Sequence, residues 1–330
     1  MSELAIPADT ASAADRRGGG LIGSDIDSLN AVLAHEVAAS TVKNYRIQWK
    51  AFTAWALRRG APTLPADPAE VAAYLAGRIQ RHNHKPATLR VAASAIAFVH
   101  RSAGLDNPCA SPQVTRTLKA ATRKAGRSQK QAAALTAEAF SAIESVARKP
   151  RPGRGGRLES PQAAQRRGGV DIAMIGLMRD AMLRTSEAAA LTWGDLQTEP
   201  DGTGRLLIRS SKTDPEGQGT VVFVSRSTMA ALGSIRDGAA ETDSVFGLHR
   251  DQISRRIKQA AQTAGLGGGF SGHSPRVGMA RDLVRAGIEL PSLMVAGRWR
   301  SPMMPAHYAR NETAAKGAVA RFHNSGHLRP

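Results

Sequence analysis

The stretch 271–308, SGHSPRVGMARDLVRAGIELPSLMVAGRWRSPMMPAHY, sets the reading of the whole chain. It carries His273 and Arg276, then Trp299, then Tyr308, the last tyrosine in the sequence. Ser274-Pro275 predicts a helix start, because proline suits the first helical turn. That places Arg276 beside backbone N–H groups that have no partner within the helix. Upstream, MLRTSEAAALTWGDL (182–196) supplies Arg184 and Glu187. In RLLIRSSKTDPEGQGTVVFV (205–224), two apolar, β-prone runs flank a turn containing Asp214-Pro215-Glu216-Gly217, which predicts a hairpin bearing Lys212.

Two arginines, a histidine, a lysine and a tyrosine suit attack on a phosphodiester without a metal. The five-coordinate transition state gains negative charge, and paired guanidiniums match its non-bridging oxygens in a planar, two-pronged way. Arg184 and Arg276 fill that role, with His273 and the Trp299 indole N–H as further donors. Tyr308 is the candidate nucleophile. Its phenol, with a reference pKa near 10, needs neighbouring positive charge and a partner base to react at neutral pH. A phosphotyrosine has about the energy of the bond it replaces, so the step is reversible without ATP. Lys212 is the candidate general acid for the departing oxygen. Each residue alone has an ordinary explanation: packing for the aromatics, solvent for the lysine, an i,i+3 ion pair for Arg184 with Glu187. Their joint order carries the functional reading.

The chain has 330 residues, room for two ordinary domains, and a formal charge of +18, which calls for an acidic partner such as a long nucleic acid. No apolar run approaches a membrane span, and neither terminus reads as a polybasic anchor. The single cysteine, Cys109, rules out an internal disulfide, reads as a small buried hydrophobe, and suggests a cytoplasmic, nucleoid-associated protein. No Cys/His or acidic spacing suggests a metal, so neither metal nor other cofactor is expected.

Residues 1–27 are Ala-, Ser-, Asp- and Gly-rich and are read as a disordered tail. Ser40 is the expected cap of a helix with Val42, Tyr45, Trp49, Phe52 and Ala56 on one apolar face. Lys43, Arg46 and Lys50 form a second stripe at the same spacing, a candidate phosphate-facing surface. Further helices are expected from Asp67-Pro68, from Pro86 to Gly104, and over 113–124. This half, 28–124, reads as an all-helical DNA-binding domain. Thirteen basic against three acidic residues over 116–167 give +10 of the total charge. Within that region 125–135 is the expected linker on the DNA backbone, with Arg123, Lys124, Arg127 and Lys130 as candidate DNA contacts. The Gly- and Pro-rich stretch 148–169 is expected to be a mobile loop. From 136 to 330 helical signals and the hairpin alternate, giving a mainly α protein with a small β component.

The ordered set Arg184-Thr185-Ser186-Glu187, Lys212, His273-Ser274-Pro275-Arg276, Trp299 and Tyr308 resembles the catalytic signature of the tyrosine recombinase (phage integrase-type) family. The resemblance implies a helical core-binding domain and an α/β catalytic domain that form a C-shaped clamp on double-stranded DNA. It implies site-specific strand cleavage and rejoining through a 3′-phosphotyrosine, in a tetramer that passes through a Holliday junction. It also implies that the helix expected at 314–322 docks into a neighbouring subunit. The competing readings are a catalytically silent DNA-binding protein on the same fold and a type IB topoisomerase-like activity. The first would lack a site residue, and none is missing; the second is disfavoured by the R-x-S-E spacing and the helical first half.

Overall fold

The computed structural model describes residues 39–82, 84–126, 131–153, 155–210, 218–308 and 322–323. The chain divides into two compact units, Met1–Gln129 and Lys130–Pro330.

Among the described residues the first unit is entirely helical, with α1 (Ala39–Leu57), α2 (Pro68–His82), α3 (Pro86–Ser102) and α4 (Pro112–Ala125). The apolar face read on α1 is the packed one: Phe52 and Ala56 are fully buried against Val71, Tyr74 and Leu75 of α2 and Leu89 and Ile96 of α3. Ser40 is not the cap, since Ala39 is already helical and carries the serine inside the first turn. Asp67 does cap α2, its Oδ1 accepting from the Ala69 N–H at 2.6 Å and from Glu70 at 3.3 Å. Ser111 caps α4 by accepting from the Val114 N–H. His100, fully buried on α3, accepts from the Ala66 N–H at Nε2 and donates through Nδ1 to the Ile96 carbonyl. Burial holds this imidazole neutral, below its ordinary pKa. Cys109 is half-buried; burial raises its thiol pKa to about 11, so it is inert packing.

The second unit is built around α6 (Pro161–Asp180), which packs against α5 (Ala137–Ala147), α8 (Arg226–Gly233), α9 (Arg250–Thr263) and α10 (Ser274–Arg285). Its second half is buried on all sides, with Ile172, Ala173, Met174, Ile175, Leu177 and Met178 in the core. Two short helices, α7 (Thr185–Ala190) and α11 (Leu290–Ala296), complete the described helices apart from single turns and the helical residues 303–308 and 322–323. The sheet has three antiparallel strands in the order β1 (Leu196–Thr198), β2 (Gly204–Ile208), β3 (Thr220–Val224). Leu206 pairs with Val222, and Leu206, Ile208 and Val224 point into the core. Sequence patterning finds β2 and β3. It misses β1, which at three residues is too short to show a period.

The stretch 148–169 is not a loop throughout. Pro152 bridges Leu158, and residues from Pro161 onward are the opening turns of α6, capped by Ser160. Composition misleads here because the interactions are tertiary. Asp171, fully buried, receives Arg167 at 3.2 Å, Arg151 at 3.4 Å and Arg256 at 2.7 Å. Gly168 lies where the backbone of Ala147 and Arg148 passes, so the helix there excludes a side chain.

The segment ahead of α5 fixes α10. The Leu135 N–H donates to Ser274 O at 3.0 Å, and the Leu135 carbonyl accepts from Arg179. Arg179 also binds Asp282 at 2.7 Å, and Asp282 accepts from the Ala137 N–H at 2.8 Å. Gly278 is required by this crossing, because a Cβ there would collide with the Leu135 carbonyl. Gly278→Ala is therefore expected to destabilise the unit by about 3 kcal/mol, a fall of roughly 6–12 °C in its melting temperature. Gly233→Ala, which meets nothing within 4 Å, should change stability by about 1 kcal/mol or less. Calorimetric melting of the two variants checks the pair.

Candidate active site

The site begins where α6 ends. Past Asp180 the chain reverses through Met182, a buried residue with φ of +46°, a left-handed backbone that favours glycine. The turn delivers Arg184 to the N-terminus of α7, and Glu187 closes back onto it. Glu187 Oε2 accepts from the Arg184 backbone N–H at 2.9 Å, and Oε1 accepts from Arg184 Nη1 at 2.6 Å. Glu187 is buried, which by itself raises a carboxyl pKa. The Arg184 N–H and the Arg298 and Arg184 charges outweigh that burial and hold the carboxyl below its usual range.

Arg276, in the first turn of α10, is among the most fully buried large side chains of the protein, at 1% exposure. It donates to the Met182 and Gly297 carbonyls, and its guanidinium lies 4.7 Å from the centroid of the Trp299 ring. Burial, then the nearby Arg184 and Arg298 charges, lower its pKa to about 9. It therefore stays a cation at neutral pH while carrying unfavourable charge. Gly297 lets Trp299 fold back over this position, since a Cβ there would strike the indole ring.

Tyr308 lies in the second unit, in an apolar nest with Met182, Val277, Ala280 and Leu293. Its hydroxyl is 3.1 Å from His273 Nε2, and its ring is 5.7 Å from Trp299. Burial raises the phenol pKa against the lowering pull of Arg276 and Arg184, so the resting group is a neutral phenol. Burial of the ring, with the Arg276 and Arg184 charges, holds His273 below the usual imidazole range. A neutral His273 at this distance can accept the phenolic proton.

Arg184, Glu187, His273, Arg276, Trp299 and Tyr308, singled out in the sequence, thus converge within one unit from α7, α10 and the segment after α11. Lys212 lies outside the described residues, as do Arg127, Lys130 and residues 314–321. Lys43, Arg46 and Lys50 are exposed along α1, and Arg123 and Lys124 are exposed in the last turn of α4.

Sequence reasoning missed Arg298. It has φ of +52°, donates through Nη1 to Ala181 O at 2.8 Å, and reaches Met182 O at 3.2 Å and Glu187 Oε2 at 2.7 Å through Nη2. Its place beside Trp299 was the available signal, but a single arginine between glycine and tryptophan has no periodicity to mark it.

The phage integrase family model matches residues 161–315. The chain is 25% identical over 314 residues to the recombinase cre of Escherichia phage P1, covering 84% of this chain and 85% of that protein. Solved structures share the fold. The Tn1549 transposon integrase in complex with transposon right end DNA gives a TM-score of 0.58 at 14% identity, covering 87% of this chain and 94% of its own. A lambda integrase dimer bound to a COC′ core site gives 0.54 at 22% identity, covering 86% and 75%.

The buried carboxylate leads to a stability prediction. Glu187→Ala should cost about 3–5 kcal/mol at pH 7, because it leaves buried cations without their counter-charge. Since the folded pKa of Glu187 is depressed, its contribution is complete above the unfolded value near 4.3 and is lost as pH falls through the folded one. The stability gap between wild type and Glu187→Gln should therefore narrow on acidification from pH 6 to pH 3, read by denaturant unfolding.

Proposed function

We propose that this chain, which carries a phage integrase family domain across residues 161–315, is a site-specific tyrosine recombinase that cuts and rejoins double-stranded DNA. The observation that carries the reading is the Tyr308 hydroxyl, 3.1 Å from a His273 held neutral and under the Arg276 and Arg184 charges. Arg184 and Arg276 grip the scissile phosphate, with the Trp299 indole as a further donor, and Glu187 orients Arg184. As the Tyr308 oxygen bonds to phosphorus, its proton passes to His273. The bond from phosphorus to the 5′ oxygen breaks, and Lys212 protonates the leaving oxygen. The products are a 3′-phosphotyrosine and a free 5′-hydroxyl. Attack by the 5′-hydroxyl of another strand reverses the step and restores the tyrosine.

Lys43, Arg46, Lys50, Arg123, Lys124, Arg127 and Lys130 hold the DNA backbone from the helical unit and the linker, clamping the duplex together with the catalytic unit. Two target sites are joined in a tetramer, through a Holliday junction, with residues 314–322 docking between subunits. The charge of +18 supports an extended phosphate contact surface.

On a nicked suicide substrate the wild-type protein should form an SDS-resistant adduct at the 3′-phosphate and release a 5′-hydroxyl. Tyr308→Phe should bind the same DNA with nearly unchanged affinity and form none. An adduct in the variant, or capture of the 5′ end, refutes the assignment. Wild-type binding to a proven site without any adduct would instead favour a catalytically silent DNA-binding protein.

The proton acceptor sets the pH dependence. A depressed pKa keeps His273 neutral below the ordinary value of about 6.5, and acceptor capacity is lost only as pH falls through the depressed value. The second-order rate of adduct formation, which reports groups of the free enzyme, should be level through neutrality and fall only below about pH 6.5. In His273→Gln that acid limb should vanish from the pH profile.

A further inference from the structure

We propose that Arg298 is a positioning residue that sets both phosphate-gripping arginines at once, Arg184 through the Glu187 carboxylate and Arg276 through the Met182 carbonyl. The inference rests on reading this site as a phosphodiester site. Its basis is a closed set of contacts. One oxygen of Glu187 holds Arg184 Nη1 at 2.6 Å, and the other holds Arg298 Nη2 at 2.7 Å. The Met182 carbonyl accepts from Arg276 and also from Arg298 Nη2 at 3.2 Å. The second nitrogen of Arg276 binds the carbonyl of Gly297, the residue joined to Arg298. Arg298 is thus one contact away from each of the two arginines.

Two features separate this role from space filling. The backbone of Arg298 is left-handed at φ +52°, where glycine fits without strain. A side chain at this position is kept against the backbone preference. Its guanidinium also adds a third positive charge near Arg184 and Arg276, a cost that an apolar side chain would avoid. The carboxylate and the Ala181 and Met182 carbonyls offset that cost. The Arg298 side chain is only 7% exposed. Its planar fork spans several acceptors in fixed geometry, as a lysine cannot.

The test compares Arg298→Gly, Arg298→Lys, Glu187→Gln and the Arg298→Gly/Glu187→Gln double variant in the full-length protein. DNA affinity, single-turnover adduct formation on a nicked substrate, and melting temperature are measured for each. Arg298→Gly should bind DNA within about twofold of wild type and form adduct about a hundredfold more slowly, the cost of a misplacement of about 1 Å. Arg298→Lys should recover part of that loss. The double variant should be slower by less than the product of the two single losses, because both changes cut the route to Arg184 while only Arg298→Gly cuts the route to Arg276. Losses that multiply, a rate that stays at the wild-type level, or a rate loss matched by lost DNA binding would each overturn the proposal.

If the wild-type protein forms no adduct, the recombinase reading fails, and positioning is read without activity. In ¹⁵N side-chain spectra, the Arg184 and Arg276 Nε–H signals should shift and exchange faster in Arg298→Gly than in Arg298→Lys. Signals unchanged from wild type would overturn the proposal on their own.

Discussion

A single buried carboxylate, Glu187, makes the site possible. Three guanidiniums, those of Arg184, Arg276 and Arg298, act on one another here, and Glu187 is the acidic group that offsets them. Two unit charges 4 Å apart at an effective dielectric of 20 interact by about 4 kcal/mol, so such a cluster without a counter-ion would disperse or lose protons. Arg276 shows the residual imbalance: burial and its two like neighbours bring its pKa to about 9, low for a guanidinium yet high enough to keep the charge at neutral pH. The folded protein therefore holds an excess of positive charge, which under the proposed function an incoming phosphodiester would relieve. In that reading the relief would grow as the transition state gains charge, which would favour reaction over mere binding.

Holding such a cluster in place demands rigid packing around it. Arg276 has no freedom to swing, since two backbone carbonyls and the Trp299 face fix its fork. Those carbonyls belong to Met182 and Gly297, which are placed in turn by the ends of α6 and α11. The helix that carries Arg276 is pinned through Leu135, Arg179 and Asp282, with Gly278 permitting the close crossing. The two left-handed side-chain-bearing residues at the site, Met182 and Arg298, sit at its two turns and meet through a hydrogen bond. Strain collected at these positions is held by the contacts of the arginines.

What could be read in the sequence follows from the range of each interaction. The face of α1, the cap at Asp67 and the start of α10 at Ser274-Pro275 are local, and the local pattern declares them. The chemical set from Arg184 to Tyr308 was legible because its residue types have few joint uses, although more than a hundred positions separate its ends. Legibility failed where distant groups decide. Arg151 and Arg256 converge on Asp171, and the Ala147 backbone crosses Gly168, so a composition that reads as loop becomes helix. Helix α8, eight residues opening directly after β3, and strand β1 are too short for a period to emerge. Arg298 matters through partners on a segment more than a hundred residues away, and nothing adjacent in the chain announces them.

Under the proposed function, the same geometry accounts for how a buried tyrosine could be both dormant and reactive. Burial raises the pKa of Tyr308 while two arginines pull it down, and burial prevails. A free phenolate at neutral pH would cost roughly 4 kcal/mol even from the unperturbed value. An anionic phosphate arriving beside the arginines spends part of their attraction for the phenolate, so it does not by itself release the proton. Proton loss is then best coupled to attack, when the oxygen's charge passes into the forming bond, and that coupling needs an acceptor already in reach. In the proposed reaction His273 would meet the requirement at 3.1 Å, because burial, together with the Arg276 and Arg184 charges, holds its imidazole below the usual pKa. In the proposed step Arg184 and Arg276 would thus serve two ends at once, and their placement near both Tyr308 and His273 is the arrangement that would let a neutral phenol act as a nucleophile.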